Sequence, residues 1–452
     1  YHAVVGGLSV GVPGVLAMLE KSHKIHGVAP WSSLFSPSII LAKKGFVVSP
    51  RLRGMLERDR YLKHNPTANR YFYNDDGTPK SRLDNIPLAK ALHDVAHGGA
   101  KVFYEGELAQ AMVAAVKHAS PPGDLTLEDF KAYKAIEREP ICRSYRTNSV
   151  CSMPPPTSGG IALLQMLGIL ENFEVKDENP ESAKMVHLFT QAQRLAFADR
   201  NHYVADTDFI TVPVQQLLQK EYLQKRAKTI QLDKDMGRAK PGNFTEQTAI
   251  MREEGKDFSL PSTSHISIID GWGNAVSMTT SVENSFGSRL MVNGFLLNNQ
   301  LTDFSFLPQK KQKKDVKSTL VANRVEPGKR PRSSMTPAMV FDKNGELSMV
   351  AGSPGGSNII GYVARTIWSL LEWDLDPKQV VAAPNFGNTN GVTTLEAGTT
   401  IEALQEPLSA MGHKVKIKAM ESGLNVITIN EKGMLGGTDP RREGIIIRDR
   451  HQ

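Results

Sequence analysis

Two runs of alternating apolar and polar residues, Ser264–Asp270 and Asn274–Thr280, stand on either side of Gly271-Trp272-Gly273. Both runs are rich in β-branched side chains, which favour extended strands, and glycine accepts the positive φ angles of a tight turn. The pattern therefore predicts a β-hairpin. Thr263 stands directly before the first strand of this hairpin, in the hydroxyl-rich sequence Ser262-Thr263-Ser264.

Apolar residues at helical spacing predict most of the helices, and short β-branched runs bounded by turn residues predict the strands. The predicted helices are Val15–Lys21, Ser33–Lys44, Glu107–His118, one that begins at the N-cap Thr126, Ile161–Leu170, Met185–Arg200, Tyr362–Leu371 and Ile401–Ala410. The further predicted strands include Ala338–Phe341, Leu347–Val350 and Ile445–Ile447. This mixture indicates an α+β fold of stacked antiparallel sheets covered by helices.

The two cysteines, Cys142 and Cys151, are symmetric about a predicted hairpin turn at Arg146-Thr147. They should therefore face each other across the two strands, where a disulfide is geometrically possible. Two reduced structural thiols fit the pattern equally well. A disulfide would be compatible with an oxidising compartment.

Composition and charge exclude some classes of protein. The chain has 452 residues, of which 40% are hydrophobic and 22% charged, as in an ordinary globular protein. It has no apolar run of about 20 residues, so we predict no membrane span. The net charge is +7, but the basic residues are scattered apart from Lys310-Lys311-Gln312-Lys313-Lys314. No aromatic residues interleave with them, and we predict no binding to nucleic acid.

His93 and His97 have the spacing of a zinc-binding helix motif. The glutamate of that motif is missing, Gly98-Gly99 ends the helix, and no third ligand is evident in the sequence. We interpret the pair as a solvated helix end and predict neither a metal site nor an organic cofactor.

The chemistry of Thr263 depends on a base, because a threonine hydroxyl is a poor nucleophile at neutral pH. Its own α-amine, with a pKa of about 8, can act as that base only when Thr263 begins a chain. The bond between Ser262 and Thr263 must then be cut. Without this cleavage, Ser262-Thr263-Ser264 is only a polar segment that leads into a strand. The charged, aperiodic segment Asp233–Lys256 ahead of it predicts an exposed connector.

Motifs in a fixed order carry a resemblance that spans almost the whole chain. They are Ser152-Met153-Pro154-Pro155-Pro156 with Ser158-Gly159-Gly160, Thr263-Ser264-His265-Ile266-Ser267, Gly273-Asn274-Ala275-Val276, Phe286-Gly287-Ser288, Leu296-Leu297-Asn298-Asn299-Gln300, Asp303-Phe304-Ser305, Lys329-Arg330-Pro331, Ser333-Ser334-Met335, Gly352-Ser353-Pro354-Gly355-Gly356-Ser357 and Asp439-Pro440-Arg441. In these motifs the chain resembles the γ-glutamyltranspeptidases, which are N-terminal nucleophile hydrolases.

The resemblance implies a four-layer αββα sandwich in which Thr263 begins a central strand. It implies self-cleavage between Ser262 and Thr263, so that residues 1–262 form the large subunit and residues 263–452 the small subunit of a heterodimer with one compact body. The first residue is Tyr1, and an upstream segment with an arginine for the substrate α-carboxylate is expected. A periplasmic or secreted location is expected from the family.

The catalytic roles also follow from the resemblance. Thr263 is the expected nucleophile, and Ser281 takes the place of a threonine that hydrogen-bonds it. The backbone N–H groups of Gly355 and Gly356 are expected to bind the tetrahedral oxyanion.

For the substrate, Glu283, Gln300 and Asp303 match residues that hold the α-ammonium group in the family. Ser333 and Ser334 match residues that hold the α-carboxylate, for which hydroxyl donors are suited. The small-molecule γ-glutamyl donor and an amino acid, a peptide or water as acceptor are therefore the expected partners.

The chain departs from the family pattern at Ser264 and Glu283, which keep hydrogen-bonding groups, and at Thr302, which replaces an aspartate. The segment 308–328 corresponds to the lid loop but has an unusual sequence. The resemblance implies a γ-glutamyl hydrolase and transpeptidase that cleaves γ-glutamyl amides such as glutathione. The less acidic pocket leaves open a related acylase acting on glutaryl-β-lactams or on poly-γ-glutamate. Because the arginine for the α-carboxylate is not assigned in this sequence, an unprocessed, inactive scaffold is a further alternative.

Overall fold

The computed structural model describes residues 3–244, 252–253, 262–307, 309–310, 319–431 and 433–449. The chain divides into two compact units. The smaller unit comprises Tyr1–Glu137 and Ser281–Thr302, and the larger comprises Arg138–Thr280 and Asp303–Gln452. Each unit is described by itself.

The helices and strands are numbered along the chain. The α-helices are α1 (Val15–His26), α2 (Ser36–Lys44), α3 (Pro50–Arg58), α4 (Pro66–Phe72), α5 (Ile86–Gly98), α6 (Ala100–Glu105), α7 (Glu107–Lys117), α8 (Leu127–Ala132), α9 (Gly159–Leu170), α10 (Ala183–Tyr203), α11 (Val214–Leu218), α12 (Lys220–Ala227), α13 (Ile359–Trp373), α14 (Pro377–Ala382) and α15 (Gln405–Ala410). The strands are β1 (Phe46–Val47), β2 (Arg82–Leu83), β3 (Ile141–Tyr145), β4 (Asn148–Ser152), β5 (Arg252–Glu253), β6 (Ser264–Ile269), β7 (Ala275–Thr280), β8 (Met291–Val292), β9 (Phe295–Leu296), β10 (Gln309–Lys310), β11 (Thr319–Val321), β12 (Ala338–Phe341), β13 (Leu347–Gly352), β14 (Phe386–Gly387), β15 (Thr393–Glu396), β16 (Val415–Lys418), β17 (Asn425–Asn430) and β18 (Gly433–Thr438).

The smaller unit is mainly helical and has its own apolar core. The core includes Val95 of α5, Phe103 of α6 and Met112 of α7. The helix α8 begins with a capping box, in which the Thr126 and Asp129 side chains each bond the other residue's backbone N–H. This confirms the predicted N-cap at Thr126.

The larger unit is built on a six-stranded antiparallel sheet with the strand order β18-β17-β13-β12-β4-β3. The helices α9, α10 and α13 join this sheet in one hydrophobic core. Every residue of α9 is buried. A helix that is apolar on all sides fits such an enclosed position.

The hairpin β6–β7 lies on the other face of this sheet. Ala351 of β13 faces the helical core, whereas the Cβ direction of the next residue, Gly352, points at the His265 ring of β6. Successive residues of a strand face opposite sides, so the helices and the hairpin sandwich the sheet. The Ser277 hydroxyl fixes the hairpin by donating to the Ala351 carbonyl across 3.1 Å.

Most of the predicted elements are confirmed, including the hairpin before which Thr263 stands. Cys142 pairs with Cys151 across β3 and β4, and the two form a disulfide. The predicted strand at Ile445–Ile447 is wrong. The side chains of these residues are exposed, and their backbone pairs with no strand in the described chain. The last strand is instead the glycine-containing β18.

Several other predictions need a change of bounds or fall outside the described residues. The predicted helix Ser33–Lys44 is a 3-10 turn at Trp31–Phe35 followed by α2. Of the predicted connector and lid, residues 245–251, 254–256, 308 and 311–318 lie outside the described residues. Within the described ranges, none of the helices combines the length and apolar character needed to cross a membrane.

Candidate active site

Thr263 lies one residue ahead of β6, and its backbone is fixed from the far end of the chain. The last pair of the hairpin register is Ser264 with Thr280. The Arg442 guanidinium donates from Nη1 to the Thr263 carbonyl oxygen across 3.1 Å. Ser262 and Thr263 are half-buried, so the bond between them is neither in the core nor on an open loop.

Gly355 and Gly356 form the turn between β13 and α13. Their φ angles are 140° and 60°, in the region that glycine adopts readily. A Cβ on Gly355 would come within 2.6 Å of the Tyr362 ring. The turn therefore needs glycine for both conformation and space. It leads through a short 3-10 turn into the N-terminus of α13, where helix N–H groups favour negative charge.

The segment before β17 contacts Ser353, beside the glycine turn, and is linked to Thr263 through Arg442. The Gly423 N–H donates to the Ser353 hydroxyl across 3.2 Å, beside the glycine turn. The Arg442 Nη2 lies 3.4 Å from the Glu421 carbonyl oxygen. Arg442 thus ties this segment to the Thr263 backbone.

His265 fills the space between β6 and the end of β13. Its ring nitrogens lie 2.8 Å from the Thr279 hydroxyl and 3.1 Å from the Ser267 hydroxyl. Burial lowers the pKa of His265 to about 4. The ring is therefore neutral at physiological pH. It packs against Gly352 with both of its nitrogens close to hydroxyl groups.

Ser333 and Ser334 lie just before β12 and are anchored by α9 and α10. The Ser158 N–H and hydroxyl donate to the Ser333 carbonyl across 2.8 and 2.7 Å. The Ser334 Oγ accepts a 2.7 Å hydrogen bond from Nη2 of the buried Arg200.

Asp303 is connected to the same region through Asn323, which is fully buried. The Asn323 amide donates to the Asp303 carbonyl across 2.7 Å. Its Oδ1 accepts from the Arg332 N–H across 3.0 Å. Arg332 directly precedes Ser333, so Asn323 sets the spacing between the Asp303 and Ser333 backbones.

The remaining predicted residues, Ser281, Glu283 and Gln300, lie in the smaller unit. The Glu283 N–H donates to the Ser281 Oγ across 2.8 Å, and Glu283 is buried with a φ of 73°. A positive φ at a residue other than glycine is a strained conformation of the kind found at functional sites. The Asn299 N–H donates to the Val282 carbonyl, which brings the Glu283 turn close to Gln300.

Three residues in these contacts were missed by sequence reasoning: Arg200, Asn323 and Arg442. Arg442 stands next to the matched Asp439-Pro440-Arg441, and this adjacency was the available signal. Arg200 and Asn323 carried no local signal, because their partners are distant in sequence.

The described parts of the chain contain no group of three or more His, Cys, Asp or Glu side chains that could hold a metal ion. His93 and His97 are exposed near the end of α5, with ring centroids 4.2 Å apart. The candidate residues described above offer hydroxyl groups at Thr263, Ser281, Ser333 and Ser334, and carboxylates at Glu283 and Asp303.

Acyl transfer uses a nucleophile together with N–H donors for the oxyanion, and the Thr263 hydroxyl and the backbone of the Gly355 turn are groups of these two kinds. The family model described as gamma-glutamyltranspeptidase matches residues 1–448. The chain therefore belongs to the γ-glutamyltranspeptidase family.

Individual relatives support this membership. The chain is 34% identical to the glutathione hydrolase proenzyme of Bacillus subtilis (strain 168), with 98% of this chain and 75% of the relative covered. It is 34% identical to the glutathione hydrolase proenzyme of Escherichia coli (strain K12), with 96% and 74% covered. Among solved structures, the cephalosporin acylase from Bacillus halodurans is similar with a TM-score of 0.82 and 25% identity, covering 98% of this chain and 80% of that one.

Proposed function

We propose that this protein is a γ-glutamyl hydrolase and transpeptidase that cleaves γ-glutamyl amides such as glutathione through a threonine acyl-enzyme. The observation that carries the proposal is the position of Thr263, one residue ahead of β6 and held at its carbonyl by Arg442. Membership of the γ-glutamyltranspeptidase family and the names of its relatives support the same reaction.

Maturation begins with attack of the Thr263 Oγ on the Ser262 carbonyl carbon. The peptide C–N bond breaks, the nitrogen keeps its electron pair and gains a proton, and an ester joins Ser262 to the Thr263 oxygen. Water then hydrolyses the ester. The products are a Ser262 carboxylate and a free Thr263 amine, which can act as the base for the hydroxyl.

In the mature enzyme, the Thr263 Oγ attacks the γ-carbonyl of the substrate while the α-amine accepts its proton. The N–H groups of Gly355 and Gly356 stabilise the oxyanion, helped by the N-terminus of α13. The leaving amine takes a proton and departs. Water or an acceptor amine then attacks the acyl-enzyme and regenerates Thr263.

The substrate assignments rest on the sequence resemblance. Ser333 and Ser334 bind the α-carboxylate through hydroxyl donors, and Ser281 supports the nucleophile by hydrogen bonding. Glu283, Gln300 and Asp303 bind the α-ammonium, since oxygen acceptors suit that group.

The same proposal covers the processed form and its location. Residues 1–262 and 263–452 become the large and small subunits of a heterodimer within a four-layer αββα sandwich. The helical layer, the six-stranded sheet and the hairpin of the larger unit are consistent with three of these layers. A periplasmic or secreted location agrees with the Cys142–Cys151 disulfide.

The direct test is release of p-nitroaniline from γ-glutamyl-p-nitroanilide. Thr263→Ala should abolish hydrolysis, because it removes the nucleophile. Ser264→Ala is the matched control, since it removes the neighbouring exposed hydroxyl and should keep activity. Normal hydrolysis by Thr263→Ala would refute the proposal, as would an inactive, unprocessed wild type.

A second candidate is an acylase for glutaryl amides, favoured by the similarity to a cephalosporin acylase and by Thr302 in place of an aspartate. The Thr302 side chain is buried and donates to the Asn299 carbonyl, so it adds no charge for an α-ammonium. Glutaryl-p-nitroanilide lacks that ammonium. A kcat/KM higher for this substrate than for γ-glutamyl-p-nitroanilide would favour the acylase.

A further inference from the structure

Arg200 lies near the end of α10 and is only 1% exposed. Its guanidinium donates to the side-chain oxygens of Ser334, Ser158 and Asn201. Nη2 donates to the Ser334 Oγ across 2.7 Å, Nε to the Ser158 Oγ across 2.7 Å and Nη1 to the Asn201 Oδ1 across 2.8 Å. The Arg200 Cζ also lies over the Phe197 ring, 5.2 Å from its centroid, and this cation–π contact helps to fix the guanidinium.

These bonds set the direction of the serine protons. A guanidinium has donors and no acceptor, so the Ser334 Oγ must accept from Arg200. The hydroxyl proton of Ser334 is then left to be donated to another acceptor. At Ser158 that acceptor is present, because its hydroxyl accepts from Arg200 and donates to the Ser333 carbonyl across 2.7 Å.

One arginine thus orients the Ser334 hydroxyl and holds the Ser333 backbone. We infer that Arg200 is a positioning and specificity-determining residue that directs the Ser334 hydroxyl towards the substrate carboxylate. This inference rests on the proposed function, in which the two serines bind the α-carboxylate.

The expected electrostatics agree with this role. A carboxylate that accepts a hydrogen bond from the Ser334 Oγ would lie about 5 Å from the guanidinium, as two successive hydrogen bonds require. A hydroxyl polarised by a cation is also a better donor than an isolated one.

Three p-nitroanilides separate this role from general support of the fold. The γ-glutamyl substrate carries both charged groups, the glutaryl substrate keeps only the carboxylate and the 4-aminobutyryl substrate keeps only the ammonium. Arg200→Gln should lower kcat/KM for the two carboxylate substrates by roughly 10- to 100-fold, mainly through KM. The 4-aminobutyryl substrate should change by less than about threefold. Ser334→Ala should show the same selectivity.

The controls address folding and coupling. Arg143→Gln removes a different arginine, which pairs with Glu171, and should leave the ratios between the substrates unchanged. Arg200→Lys keeps the charge but loses the pair of directed donors, so it should give a smaller loss of the same selectivity. In a double-mutant cycle, Arg200→Gln should add little in the Ser334→Ala background.

An equal loss for all three substrates, or no loss, would overturn the inference. If Arg200→Gln is not processed at Thr263, the milder Arg200→Lys decides by the same ratios. A failure of the proposed function would look different. In that case the wild type itself would release no p-nitroaniline from any of the three substrates.

Discussion

The Arg442 guanidinium donates a 3.1 Å hydrogen bond to the carbonyl oxygen of Thr263, 179 positions earlier in the chain. It therefore holds the residue that we assign as nucleophile through its backbone. Arg442 also contacts the Glu421 carbonyl. Two residues later, the Gly423 N–H donates to the Ser353 hydroxyl. This path of hydrogen bonds links the Thr263 backbone to Ser353, two residues before Gly355.

Arg442→Ala should slow self-cleavage and lower kcat by about tenfold or more, because a small misplacement of a nucleophile is costly. Arg442→Lys should be intermediate. The measurements are the fraction of cleaved chain over time and kcat for γ-glutamyl-p-nitroanilide. Arg448→Ala, at an exposed arginine of the same C-terminal segment, is the control and should behave as wild type. Unchanged processing and kcat in Arg442→Ala would contradict this role.

Gly355→Ala should lower kcat by roughly 100-fold or more while the protein still folds. The added Cβ meets the Tyr362 ring at 2.6 Å, so the turn must move and its N–H groups lose their alignment. Gly345→Ala is a matched control, because Gly345 also has a positive φ, 84°, but open space around its Cβ position. That control should cost about 1 kcal/mol of stability and leave kcat intact. Equal kcat values for the two variants would exclude Gly355 from oxyanion binding.

Acid should destabilise the fold partly through His265. Its folded pKa is lowered to about 4 by burial, whereas the unfolded value is about 6.5. The contribution of the neutral His265 ring to the free energy of unfolding is fully present above pH 6.5 and is lost as the pH falls towards 4. In this range the unfolded chain binds a proton at His265 that the folded chain does not bind. His265→Gln should reduce the slope of unfolding free energy against pH by up to about 1.4 kcal/mol per pH unit in this window.

Urea unfolding at several pH values measures this slope. The His265→Gln variant should retain part of the acid sensitivity, because burial also lowers the pKa values of His187 and His413. A slope in His265→Gln identical to that of the wild type would show that the His265 ring becomes protonated within the fold.

Asp303→Asn should weaken recognition of the α-ammonium and leave self-cleavage largely intact. We expect kcat/KM for γ-glutamyl-p-nitroanilide to fall by roughly 10- to 100-fold, because a charge-assisted hydrogen bond is lost. Glutaryl-p-nitroanilide, which lacks the ammonium, should be cleaved as before. The Asp303 carbonyl keeps its bond from Asn323 in this variant, so the backbone is preserved. Similar losses with both substrates would argue against the assignment.

Local patterns predicted much of this fold. The hairpin β6–β7 followed from alternation around a glycine-rich turn, and the pairing of Cys142 with Cys151 followed from symmetry about the turn at Arg146. The strand β18 escaped prediction because Gly433-Met434-Leu435-Gly436-Gly437-Thr438 has little strand character. Its pairing with β17 forms the strand. Ile445–Ile447 has strand character but no neighbouring strand to pair with in the described chain.

The contacts around the candidate site were less accessible to sequence reasoning. Resemblance identified Thr263, Gly355 and Ser334 as candidates, but the partners of their atoms depend on tertiary packing. Arg200 contacts Ser334 across 134 positions. No periodicity or local motif relates residues so far apart, whereas the folded chain places their side chains within hydrogen-bonding distance.

The intact mass of the purified protein under denaturing, reducing conditions shows whether Thr263 becomes the first residue of a chain. We expect two species, one of which begins at Thr263, and a single uncut chain for Thr263→Ala. A wild type that remains one uncut chain would exclude the proposed mechanism, because the Thr263 amine would then never be freed to act as the base.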